Sequence, residues 1–327
     1  MHKILLENLP AHFVDGDYVL MVGLSFDSRC LTALSYFPRK RAIQIVGISN
    51  AGWGSYNKNS ITEFVGLVGA AGIIIGNNAA SVMDVADELV EFINSVLDCP
   101  EKTLVIDITS LSHELLVMLL GMLNSLQVMN RATLLYVGAA EYSFNAPGDA
   151  VWLSRGVRSI RSVLGFPGTM LPSKKLHLVV LAGFEVERAA EVIVRYEPAS
   201  MSIGLGKRDQ SVSEAHHDKN KLFFDRLNKF VKEQDADNQE IHHFEFSCVD
   251  PLQTKSQLLS HIDSLKALGD KNIVICPLNT KLSTVGVVLA TIEHPEIQIC
   301  YAEPDEYNAE GYSKPGTEVT IFSLKDN

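Results

Sequence analysis

Asn272 to Thr291 reads NIVICPLNTKLSTVGVVLAT, and this stretch decides the fold. Ile273 to Cys276 is a short apolar run bounded by polar residues and Pro277, the pattern of a buried strand. Leu278-Asn279-Thr280-Lys281 is a polar turn. An apolar helical pattern then starts near Ser283 and runs through Val285, Val288 and Leu289. A strand that feeds a helix through a short turn leaves the helix's first N–H groups pointing outward. Together with the helix dipole, a hydroxyl and a lysine, those donors suit an anion.

The rest of the chain is organised the same way. Tyr18 to Leu24 is a buried strand, followed by Ser25 to Arg29, an amphipathic stretch from Cys30 to Phe37, and Pro38, which stops the helix. Ala42 to Ile48 is a second strand. Ser49 to Ser60 reads as a Gly/Asn/Ser-rich loop, and Phe64 to Ile75 as a glycine-interrupted apolar stretch. Ser81 to Leu97 has helical spacing, Thr103 to Ile108 is a strand, Thr109 to His113 a turn, Glu114 to Leu126 a helix and Thr133 to Val137 a strand. Residues 145 to 175, rich in Gly and Pro and carrying Arg155, Arg158 and Arg161, read as a connector with a basic cluster.

The second half repeats this order. His177 to Ala182, Met201 to Leu205, Ile241 to Phe246, Ile273 to Cys276 and Ile297 to Tyr301 are strands. Helices are expected up to Tyr196, over Leu222 to Val231 and over Pro251 to Leu268, with a polar loop from Gly206 to Asn220. Glu318 to Ser323 reads as an edge or exchanged strand. Side by side, Gly23, Asp27 and Arg29 match Gly183, Glu185 and Arg188. Asp107, Thr109 and Ser110 match Asn279, Thr280 and Lys281, and Glu141-Tyr142-Ser143 matches Glu306-Tyr307-Asn308. The expected fold is therefore α/β: two tandem Rossmann-like domains related by internal duplication, with mainly parallel sheets. The expected boundaries are 1–144, a connector at 145–175, and 176–327. The alternative is that strand-to-helix turns are polar in every α/β protein.

Composition narrows the function classes. The 327 residues are 46% hydrophobic, enough for two cores. A net charge of -11 argues against a general duplex nucleic-acid coat. The five scattered cysteines (Cys30, Cys99, Cys248, Cys276 and Cys300) form no CxxC pair, so neither a disulfide framework nor a cysteine zinc site is expected. The opening stretch lacks a secretory leader pattern, and no apolar run reaches membrane-spanning length, so a cytoplasmic protein without membrane association is the expectation.

The polar turns are the candidate site. GxGxxG and GxxxxGK[ST] fingerprints are absent, and no cofactor is called for. Thr280 and Lys281 suit phosphate; alternatively Thr280 caps its helix and Lys281 is solvated. Asp107 and Thr109 could orient a ribose or base, or Thr109 could act as a cap. Arg29 and Arg188 suit bidentate phosphate binding, or form ion pairs with the neighbouring acids Asp27, Glu185 and Glu187. Tyr142 and Tyr307 could stack on a base or close a domain edge. The pairs His216-His217 and His242-His243 raise a metal reading, but adjacent strand residues face opposite sides and no HExxH supports them. His113-Glu114 could act as acid and base, though no nucleophile signature accompanies them.

On these residues the chain resembles CRISPR-associated Rossmann-fold (CARF) sensor domains. Their strand, Gly-Thr-Lys turn and helix correspond here to Asn279-Thr280-Lys281 after β-type sequence, and Ile108-Thr109-Ser110 resembles the turn's earlier part. The resemblance implies a nucleotide or oligonucleotide sensor of a defence or regulatory system, often dimeric, with a separate protein effector. Read from the turns themselves, the expected ligand-binding set is Asp27, Arg29, Asp107, Thr109, Ser110, Tyr142, Glu185, Arg188, Asn279, Thr280, Lys281 and Tyr307, with Arg29, Thr109, Arg188, Thr280 and Lys281 lining a cleft. An enzyme acting on nucleotides or nucleosides, of hydrolase or glycosidase type, is the alternative. A scaffold holding a partner through the Arg155–Arg161 cluster is a third reading.

Overall fold

Unbroken apolar runs become the central strands, because a strand covered by helices on both faces has no polar side to show. The computed structural model describes residues 1–14, 16–51, 54–69, 72–97, 102–142, 153–234, 240–266, 269–309 and 313–325, with backbone only at 54, 55, 97, 141 and 142. The chain divides into two units, Met1–Val151 with Ala309–Asn327, and Trp152–Asn308.

Unit 1 begins with β1 (His2–Leu5), a short α1 (Leu9–His12) and β2 (Tyr18–Leu24), which is buried at every position. Then come α2 (Thr32–Tyr36), β3 (Ala42–Ser49), α3 (Gly54–Val68), β4 (Ile73–Ile75) and α4 (Val82–Leu97). β5 (Thr103–Asp107), α5 (His113–Ser125) and β6 (Ala132–Tyr142) complete the forward path. The sheet gains its last strand, β15 (Ser313–Ser323), from beyond unit 2. Its order is β1-β15-β6-β5-β2-β3-β4. The five strands from β6 to β4 are parallel, and β15 and β1 add antiparallel. The segment expected as an edge or exchanged strand thus pairs with β6, Phe322 opposite Leu134.

Unit 2 opens inside the expected connector. β7 (Ser154–Arg155) pairs with β14 (Glu306–Tyr307), and β8 (Ser159–Ser162) adds antiparallel to β13 (Gln298–Glu303). Between them lie β9 (Lys175–Leu181), α6 (Val186–Tyr196), β10 (Ser200–Gly206), α7 (Glu214–Glu233), β11 (Glu240–Phe246), α8 (Pro251–Lys266), β12 (Lys271–Pro277) and α9 (Lys281–Glu293). The sheet order is β11-β10-β9-β12-β13-β8, parallel except for β8. α9 is buried from Leu282 to Thr291, which explains why its sequence is apolar on every face.

Two expected loops are helical instead. Ser49 to Ser60 gives most of its length to α3, whose Phe64 is fully buried against the core of β2 and β3. Burying that ring outweighs the weak helix propensity of Gly, Ser and Asn. The Gly206–Asn220 loop ends early because the Ser213 hydroxyl accepts from His216 N at 3.1 Å and starts α7.

Candidate functional site

Each unit places one arginine at the start of its first crossover. In unit 1, Arg29 is 4% exposed and grips Asp27 through Nε (3.1 and 3.2 Å) and Nη2 (2.6 Å). Its Nη1 donates to the carbonyl of Val137 on β6 at 3.2 Å, and the guanidinium lies 6.0 Å over the Tyr136 ring. In unit 2, Arg188 is 3% exposed and paired with Glu185, and it donates through Nε and Nη2 to the carbonyl of Ala302 on β13. It lies 5.4 Å over the Tyr301 ring. Both guanidiniums are thus bound to a carboxylate and to the fifth parallel strand, which is the ion-pair alternative in structural form. Burial pushes the Asp27 carboxyl up, but the Arg29 charge and the bonds from Arg29 and Ser313 outweigh it, so the net shift is downward.

The turn after the fourth strand lies over the end of the first. A Cβ on Gly23 would stand 2.7 Å from Leu111 N, and one on Gly183 would stand 1.7 Å from Leu278 O, so only glycine admits these approaches. In unit 1, Ser110 Oγ donates to Gly23 O at 2.6 Å and Thr109 Oγ1 accepts from Val137 N at 2.9 Å. Thr109 therefore ties β6 down, while Ser112 caps α5 by accepting from Leu115 N at 3.1 Å. Asp107, 1% exposed, accepts from Thr109 N through Oδ1 at 3.0 Å, and its Oδ2 has no hydrogen-bond partner among the described residues. Burial pushes its carboxyl up to about 6, with Asp27 adding and the Thr109 bonds and Arg29 opposing.

In unit 2, Asn279 Nδ2 donates to Ala182 O at 2.6 Å, and its Oδ1 accepts from Thr280 N at 2.9 Å. Thr280, 7% exposed, caps α9 by accepting from Ser283 N at 3.1 Å and donates to Cys248 O at 2.5 Å. Lys281 is the first residue of α9 and is half-buried. Tyr307 Oη lies 3.3 Å from Tyr301 Oη, and burial raises its hydroxyl pKa. The side chain of Tyr142, and Ser143, Cys99 and Trp53 entirely, lie outside the described residues.

A hollow of about 450 Å³ opens beside this frame in unit 1. Ser25, Phe26, Asp27, Ser28, Cys30 and Leu31 line it from the loop after β2, and Thr32 and Ser35 from α2. Tyr56, Asn59, Ser60 and Glu63 line it from α3, with Ala309 beside them. The Phe26 and Tyr56 ring centroids are 5.9 Å apart. Of the expected ligand residues whose side chains are described, Asp27 alone is part of this lining. Reading Ser49 to Ser60 as a loop hid Tyr56, Asn59 and Ser60, and Glu63 fell between expected elements, yet positions 56, 59, 60 and 63 follow the i, i+3, i+4, i+7 rule for one helix face. Ser313, which donates to Asp27 Oδ1 at 2.7 Å from 286 residues away, left no local signal.

The histidine pairs do different work. His242 and His243 face opposite sides of β11: the His242 ring is 5.9 Å from that of His177, while His243 Nε2 meets Asn228 Oδ1 at 2.7 Å. His217 Nδ1 meets Gly206 O at 2.9 Å, and His216 packs edge-on to Phe184. His177, fully buried, bridges Ser200 Oγ (2.7 Å) and Ser202 Oγ (2.8 Å), and His261 Nε2 on α8 meets the same Ser202 Oγ at 2.7 Å. No cluster of three or more His, Cys, Asp or Glu able to hold a metal ion occurs among the described residues. Arg158 and Arg161 of the expected basic cluster meet Glu303 at 3.7 and 2.7 Å.

Both sheets carry five parallel strands in the order third, second, first, fourth, fifth, the doubly wound order of Rossmann-like α/β proteins. No protein-family model matches the chain, and no curated protein matches it. No helix among the described residues is long and apolar enough to cross a membrane.

Proposed function

We propose that the chain is a ligand-binding regulatory protein built from two copies of one Rossmann-like unit, with a nucleotide-like ligand seated in unit 1. The observation that carries this reading is the hollow at the carboxyl end of β2, where doubly wound sheets receive ligands. Its volume falls within the range of small-molecule sites, and it combines two aromatic rings with hydroxyls and carboxylates, the chemistry that a base and a sugar need. Duplication is supported by the shared strand order and by the matching constellations of Arg29, Tyr136 and Val137 and of Arg188, Tyr301 and Ala302. The resemblance to CARF-type sensors extends the reading to signalling through a separate effector.

Calorimetric titration with mononucleotides and cyclic oligonucleotides tests it. The expected result is saturable heat that disappears when Ser35, an exposed residue of the lining, is changed to Trp so that an indole fills the hollow. Silence toward every ligand of the panel defeats the proposal. Product analysis of the same mixtures reads out the enzymatic alternative.

A further inference from the structure

The charges around the hollow are not those of a phosphate site. Among the described lining residues there is no lysine or arginine, and two are carboxylates, Asp27 and Glu63. Phosphate is held by guanidinium forks, ammonium groups or unclaimed backbone N–H groups. The nearest guanidinium, Arg29, is locked to Asp27 and to Val137 O. Five of the N–H groups between Ser25 and Thr32 are also taken. Those of Ser25 and Asp27 donate to Cys30 Sγ (3.4 Å) and Ser25 Oγ (3.1 Å), and that of Arg29 to Asp27 Oδ1 (3.0 Å). Cys30 N donates to Asp27 O at 2.9 Å and Thr32 N to Arg29 O at 3.1 Å.

The two carboxylates differ. Asp27 is 5% exposed, and both its oxygens already receive donors from Arg29 or Ser313. Glu63 stands exposed on the α3 face that lines the hollow, and it makes no ion pair among the described residues. It is the lining's available charged acceptor, with the Asn59 amide in the same lining, whereas the Ser28 and Ser35 hydroxyls already donate to Ser313 O (2.5 Å) and Leu31 O (3.0 Å). A carboxylate beside aromatic rings repels phosphate and accepts from a vicinal diol or an exocyclic amine.

We infer that this hollow takes the uncharged, donor-rich end of the ligand, the sugar hydroxyls and base of a nucleoside, with Glu63 as its acceptor, and leaves any phosphate outside. The inference rests on the proposed nucleotide-like ligand and reverses the polarity that the helix-start motifs imply for it.

The test is calorimetry on the full chain with adenosine, guanosine, cytidine and uridine and their 5′-monophosphates. Wild type, Glu63→Gln, Glu63→Lys and Ser35→Trp are compared, each checked for an unchanged far-UV spectrum. The preferred nucleoside is expected to bind within about threefold of its monophosphate. Glu63→Gln weakens the nucleoside by about tenfold or more, the scale of one charged hydrogen bond. Glu63→Lys shifts preference toward the monophosphate, and Ser35→Trp abolishes both. A wild-type monophosphate bound more than tenfold tighter than its nucleoside, and lost in Ser35→Trp, overturns the inference and leaves nucleotide binding standing. Binding that survives Ser35→Trp places the ligand elsewhere and also overturns it. No binding by any compound removes the inference together with the function it rests on.

Discussion

Asp27 and Asp107 lie in the same buried cluster of unit 1, and their surroundings drive them in opposite directions. Asp27 has the Arg29 guanidinium at 2.6 Å; Asp107 has one backbone N–H and an Oδ2 without a hydrogen-bond partner among the described residues. An acid whose folded pKa rises from 3.8 to about 6 binds more protons folded than unfolded across that window. Stability from this group therefore falls as pH rises through it, leaving a cost of about 3 kcal/mol above pH 6. Asp107→Asn keeps the acceptor for Thr109 and removes the charge. It is expected to stabilise the protein by roughly 1–2 kcal/mol at pH 7.5 and by nothing at pH 3.5 in urea unfolding. A loss at both pH values would show that the carboxylate is needed as an ion. Thr280→Ala is a second residue-scale case: the cap of α9 and the bond to Cys248 O disappear together, and about 1–2 kcal/mol should go with them. Thr280→Ser restoring most of it would confirm the hydroxyl as the cause.

At the scale of elements, α8 packs on β11 and reaches β10 through His261, the first of a chain of polar side chains that continues through Ser202, His177, Ser200 and Lys271. Glu240 and His242 on β11 also face this layer, with Lys271 Nζ 3.4 Å and His242 Nε2 3.1 Å from the Glu240 carboxylate. The Phe244 ring stacks on His261 at 4.4 Å. Burial first, then Lys271, His242 and His261, push His177 down to about 3, and burial with His242 pushes His261 down to about 4. A base depressed on folding contributes stability that is complete above 6.5 and lost as pH falls toward the folded value. For His177 the slope is about 1.4 kcal/mol per pH unit between roughly 6 and 4. His177→Gln should flatten the acid limb of a stability–pH curve by one proton; an unchanged limb would mean that water reaches the ring. None of this chain was legible in sequence, because His177 sits in an apolar run and its hydrogen-bond partners lie 23 and 25 positions away. By contrast β2, β9 and β12 were legible from their apolar runs, and α9 from its apolar helical pattern, although that pattern put its start near Ser283 and the Thr280 cap starts it at Lys281. α3 was not: its Gly, Ser and Asn speak locally for a loop, and only Phe64, placed by the sheet, decides for a helix.

Over the whole molecule, the two units respond to acid with opposed terms. Between pH 6 and 4, Asp107 favours unit 1 as pH falls, while His177, His261 and His216, the last lowered to about 4 by burial and His217, work against unit 2. Calorimetric melts are expected to split progressively as pH drops from 7 to 5, with the unit 2 transition moving to lower temperature. A single transition that shifts without broadening would show the units to unfold as one.

The returning strand β15 carries a consequence for biosynthesis. Unit 2 is one contiguous segment, whereas the sheet of unit 1 lacks β15 beside β6, and Asp27 lacks Ser313, until residues beyond unit 2 have been made. On the ribosome the usual amino-to-carboxyl succession is inverted. Stalled nascent chains that expose residues 1–308 should therefore shield unit 2 from protease while β6 is still cut. Exposing residues 309–324 as well should convert the earlier-made part to resistance in one step.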